Sequence, residues 1–169
     1  MSVLVALSIA IAALAALATW SFLTVGSILI WAAFIAWACF FHCGGDTNAL
    51  KKTIIDNLFG VVVAWVAALL ITKSGLIGSI GLPACAGLVV GVTVLGVCLA
   101  AHTAMFNCIP AAFYGYASAF AFLLQTPDAL GKLTSASLGN VLFVVPLSMI
   151  IGALFGFVSG KLGGILQAK

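Results

Sequence analysis

The chain has 169 residues, 65% of them apolar and only 5% charged, with a formal net charge of +3. A soluble domain carries about 25% charged residues to cover its surface, so water cannot be the main solvent here. There is no Arg, no Glu, no GxSxG, P-loop or HExxH motif and no pair of carboxylates within a span, which argues against an enzyme.

No charged residue occurs between Met1 and Gly45 or between Ser74 and Pro127. A membrane-crossing helix needs about 20 mostly apolar residues, so each stretch has room for two passes. Taken in chain order, the pattern predicts six transmembrane helices: Val3–Phe22, Gly26–Cys43, Ile54–Thr72, Leu82–Ala101, Met105–Leu124 and Gly139–Ser159. The first has no basic residue ahead of it and runs well past a signal-peptide core, so it reads as a retained helix. The expected class is an all-α integral membrane protein forming a single membrane domain.

With six spans the lysines sort by side. Lys51, Lys52, Lys161 and Lys169 share the side of both termini, and Lys73 and Lys132 lie opposite. The positive-inside rule then puts both termini in the cytoplasm. Lysines scattered at helix ends do not form the basic face of a nucleic-acid binder. The lipid bilayer is the expected partner.

Sliding the chain along itself by 79 residues brings Thr24 onto Thr103, Ile30 onto Ile109, Ala32 and Ala33 onto Ala111 and Ala112, and Phe34 onto Phe113. Ala38 then meets Ala117, Phe41 meets Phe120 and Thr47 meets Thr126 without a gap. After one inserted residue Lys52 meets Lys132 and Leu58 meets Leu138. The reading is an internal repeat, residues 1–80 and 81–169, each with three spans. An odd number of spans makes the second unit enter from the other side, the 3+3 inverted topology that many solute transporters use.

Trp31-Ala32-Ala33-Phe34, then Phe41-x-Cys43 and Gly44-Gly45, resembles the first half of the YcdZ-like family of small bacterial inner-membrane proteins. Pro110-Ala111-Ala112-Phe113-Tyr114-Gly115 with Ala117 is similar to its second-half Pro-x-x-Phe-x-Gly-x-Ala segment. His42 and Asp46 depart from that pattern. The resemblance implies the bacterial inner membrane and several spans, and it implies no substrate.

Polar groups inside a membrane mark candidate sites. The densest cluster is Phe41, His42, Cys43, Gly44, Gly45 and Asp46, where the second span ends. It suits a pore mouth, and equally an ordinary helix C-terminus followed by a polar loop. His102 and Asn107 are the second-half candidates, and Trp37 and Tyr116 align with each other across the repeat, as pathway lining or as core. Cys39, His42 and Cys43 share a helix face, as do Cys98 and His102. The second half does not reproduce the first set, so no metal and no cofactor are expected, and the cysteines read as small packing residues. Gly152, Gly156, Gly160 and Gly164 form a ladder that lets helix backbones approach closely, and Gly87 with Gly91 forms a shorter one.

The function expected is a small channel or facilitator for a neutral or weakly basic solute such as urea, ammonia or a short amide, along a pathway without buried fixed charge. The alternative is a non-transporting structural or accessory subunit of a larger membrane complex. Six short spans make a thin bundle, so a homo-oligomer such as a trimer is expected.

Overall fold

The computed structural model describes residues 1–168. Among these the fold is all-helical: α1 Val3–Val25, α2 Ile30–His42, α3 Thr47–Lys73, the short α4 Leu76–Ile80, α5 Leu82–Ala100, α6 Ile109–Gln125, a 3-10 turn at Leu130–Lys132, and α7 Val141–Gln167. Four of these, α1, α3, α5 and α7, are long and apolar enough to cross a membrane. Helices α2 and α6 are apolar but have only 13 and 17 residues. At a rise of about 1.5 Å per residue they cover roughly 20 and 25 Å, short of a hydrocarbon core about 30 Å thick.

Backbone chemistry explains why α2 and α6 start later than the predicted spans. Gly26 takes the left-handed conformation at φ 70° and donates its N–H to Phe22, which ends α1 and leaves 26–29 outside any helix. In α6, Pro110 stands in the first turn, where its missing N–H breaks no helical bond. Helix α7 continues eight residues beyond the predicted end at Ser159.

The chain forms two compact units, Met1–Ile54 with the chain from Leu147 onward, and Ile55–Pro146. Neither coincides with a half of the sequence, because each takes its helices from both halves.

In the first unit α2 packs along α7. The Leu29 N–H donates to Ser148 Oγ at 2.9 Å, and Trp37 Nε1 donates to Ser159 Oγ at 3.0 Å. Between them, a Cβ placed on Gly152 would land on the Ala33 carbonyl oxygen. These pairs advance together along both helices, so α2 and α7 run in the same direction. Ala18, Phe22, Ala33 and Trp37 form one buried apolar cluster, with Phe155 set edge-on to Phe22 at 5.6 Å.

In the second unit α3 packs along α6. Phe59 stacks at 4.2 Å on Phe106, just ahead of α6, and Trp65 Nε1 donates at 2.7 Å to the Leu133 carbonyl, beyond its end. These two helices therefore also run the same way. The loop after α6 is held by buried Asn140, whose Nδ2 donates to the Leu133 and Ser135 carbonyls while its Oδ1 accepts from the Leu142 N–H.

Candidate functional site

The glycine-rich cluster closing α2 is a helix terminus built from backbone hydrogen bonds. Gly45 donates to the Phe40 carbonyl at 3.0 Å and Gly44 to the Phe41 carbonyl at 3.1 Å. Their φ angles are 119° at Gly44 and 72° at Gly45. That pairing satisfies two carbonyls left over at a helix end and needs residues without a Cβ. Exposed Asp46 then accepts the Ala49 N–H at 2.7 Å, capping α3.

The same turn borders two small pockets. One, of about 220 Å³, is lined by Gly45, Asp46, Thr47, Phe157, Gly160 and Lys161. The other, of about 300 Å³, lies among Leu7, Phe41, Gly44, Gly163 and Gln167. Lys161 Nζ sits 5.4 Å from the Phe157 ring centre. His42 is exposed, and Cys43 Sγ lies 3.9 Å from the buried Cys39 Sγ.

The remaining candidates are dispersed. Trp37 is buried in the α2·α7 contact, and Tyr116 is buried with its hydroxyl 3.0 Å from Thr93 Oγ1 of α5. His102 and Asn107 are exposed, and His102 Nδ1 lies 3.0 Å from the Leu99 carbonyl oxygen. Among the described residues, no group of three or more His, Cys, Asp or Glu stands close enough to hold a metal ion. The first three glycines of the ladder have partners within the chain, whereas a Cβ on Gly164 would have no neighbour within 4 Å. Gly152 meets the α2 backbone at Ala33, a Cβ on Gly156 would lie 3.0 Å from the Trp37 and Phe40 rings, and Gly160 faces Phe40 and Gly45.

A buried ionisable residue lies outside the sequence candidates. Asp56 is 0% exposed on α3, with Thr53 at 0% and Asn57 at 1% on the same helix face. The signal was present in the sequence. Thr53, Asn57, Gly60 and Ala64 recur at helical spacing, so α3 carries a stripe of small and polar residues, and Asp56 flanks it inside the predicted third span. A residue near the predicted end of a span reads as a boundary residue until packing covers it.

Long apolar helices with exposed Leu, Val and Trp along α1 and α5 make this an all-helical membrane protein. More specifically, the chain belongs to the DUF1097 family of proteins of unknown function, whose model matches residues 8–164. No curated protein and no solved structure matches it significantly.

Proposed function

We propose that this protein is a small transport facilitator that carries a small polar solute, neutral or weakly basic, across the bacterial inner membrane. The observation that carries this reading is the buried polar face of α3, where Thr53, Asp56 and Asn57 are at most 1% exposed. Ionisable groups inside membrane helices are expensive and cluster along substrate and ion routes.

An inverted repeat of two three-helix halves, with α2 and α6 as the shorter members, underlies the proposed transport. Two helix crossings support it. Gly60 meets the Ala112 backbone on α6 as Gly152 meets the Ala33 backbone on α2, and Ala33 and Ala112 are the residues that the 79-residue shift superimposes. Each pair runs in one direction and joins a second-span helix to a third-span helix of the other half, as six spans in an inverted repeat require. Both termini are cytoplasmic in this reading, by the lysine distribution.

Flux into proteoliposomes tests the proposal. Purified protein should raise the uptake of labelled urea or methylammonium at least several-fold over empty liposomes. Uptake equal to that of empty liposomes for both solutes refutes it.

One observation favours a second reading, an accessory subunit within a larger assembly. Gly87 and Gly91 on α5 are exposed, with no atom within 4 Å of a Cβ placed on either. Such a face admits another helix closely. Obligatory co-purification of a different protein in mild detergent would favour this role, and a stable homo-oligomer would favour the facilitator.

A further inference from the structure

We propose that the glycine-lined recess where the end of α2 meets the end of α7 holds a phospholipid with an ethanolamine headgroup, its phosphate on Lys161 and its ammonium on Asp46. Binding of such a lipid requires no solute flux and stands apart from the transport reading.

Every residue of the recess belongs to the first unit. The start of α1, the turn between α2 and α3 and the end of α7 meet there, and a Cβ on Gly163 would lie 3.1 Å from the Leu7 side chain. Three of the four helices long and apolar enough to cross a membrane, α1, α3 and α7, have an end here. Such gathered ends lie at a membrane surface, where headgroups give way to acyl chains. Two neighbouring pockets share Gly45 and Gly160. The one of about 300 Å³ is walled by Val3, Leu7 and Phe41, and the one of about 220 Å³ by Asp46, Thr47 and Lys161. A polar cup beside an apolar slot matches the junction between a headgroup and its chain.

The charges of the cup select the headgroup. Asp46 and Lys161 line it without forming an ion pair with each other. Asp46 Oδ1 accepts the Ala49 N–H, which leaves Oδ2 for a ligand. Lys161 Nζ lies 5.4 Å from the Phe157 ring centre, and a ring face holds an ammonium without using its N–H donors. A phosphate bound to Lys161 would face the Asp46 carboxylate, unless the same headgroup carries its own cation. Ethanolamine's ammonium has N–H groups to give Oδ2, and choline's has none. Lys51 and His42 are exposed nearby and Lys52 is half-buried. These cations attract phosphates of any lipid, so the carboxylate inside the cup decides between headgroups.

Gly164 gives an independent observation. Gly152, Gly156 and Gly160 each face a neighbour within the chain, whereas a Cβ on Gly164 would meet nothing within 4 Å. Alanine is the better helix former, so packing within the chain does not call for this glycine. It lines the apolar slot, and its missing side chain keeps that slot open.

Native mass spectrometry of the full chain, delipidated in mild detergent, tests the site with equal amounts of dioleoyl phosphatidylethanolamine, phosphatidylglycerol and phosphatidylcholine. The wild type should retain the ethanolamine lipid several-fold more than either of the others. Retention should fall stepwise through its N-methyl and N,N-dimethyl forms, a readout that needs no variant to fold. Lys161→Gln and Gly164→Leu should each lower retention several-fold at an unfolding temperature near wild type. Asp46→Asn keeps a capping oxygen for the Ala49 N–H and should abolish the preference over choline. Equal retention of the ethanolamine and choline lipids by the wild type overturns the proposal. So does a preference for the glycerol lipid, which marks a simple anionic-lipid surface. Retention by folded Lys161→Gln and Gly164→Leu within about twofold of wild type overturns it as well, since the lipid then sits elsewhere.

Discussion

Gly60 and Gly115 pack reciprocally. A Cβ on Gly60 would strike the carbonyl oxygen of Ala112, three residues before Gly115, and a Cβ on Gly115 would strike that of Asn57, three residues before Gly60. Helices α3 and α6 thus meet backbone to backbone, an approach only small residues permit. The buried polar residues of α3 lie on the turns next to this contact, so its rigidity bears on their placement.

Even one methyl group should therefore be disruptive here. Gly60→Ala and Gly115→Ala should each destabilise the protein by about 1–3 kcal/mol, the usual range for overpacking. Thermal or denaturant unfolding in detergent would measure it, and wild-type stability in both variants would contradict the crossing.

Gly87 supplies the contrast. Nothing surrounds its missing Cβ, and alanine is the better helix former by about 0.8–1 kcal/mol in water. Gly87→Ala should leave the stability of the monomer unchanged or raise it. A drop in stability together with loss of an oligomer on size-exclusion chromatography would show that this face is covered by another chain.

Ser159 tests the α2·α7 contact. Its hydroxyl accepts from Trp37 Nε1 at 3.0 Å and donates to the Gly156 carbonyl, and it is buried. Ser159→Ala leaves the indole N–H without this acceptor and should cost about 1–2 kcal/mol. Trp37 fluorescence should change with it, and an unchanged emission spectrum on a background lacking Trp20, Trp31 and Trp65 would count against the bond.

At the α2–α3 turn the effect should be smaller and local. Asp46→Ala removes the cap on the Ala49 N–H and should cost about 1 kcal/mol, whereas Asp46→Asn or Asp46→Ser should retain most of it. If Asp46 lined an obligatory pore instead, Asp46→Ser would abolish flux while leaving the unfolding temperature near wild type.

Much of the fold was legible in the sequence, because membrane helices announce themselves through long uncharged stretches that a water-facing surface cannot tolerate. The ends of α2 and α6 were less legible. Gly26 and Pro110 set them, and whether such a residue breaks a span or merely bends it depends on what satisfies the neighbouring carbonyls.

The candidate site divides along the same line. Gly44, Gly45 and Asp46 stood out as a polar cluster, and the structure uses them as a helix stop and a cap, local tasks that local residues perform. Asp56 drew no such notice, since two lysines lie just before it and its spacing resembles that of a helix entrance.

By itself the sequence determined the solvent, through composition, and the small-residue stripes that permit close helix contact, through spacing. Only the tertiary structure decided which stripe meets which. Gly152 packs on α2 and Gly60 on α6, contacts between residues far apart along the chain. Asp56 is likewise fully buried, and burial depends on neighbours that no local pattern names.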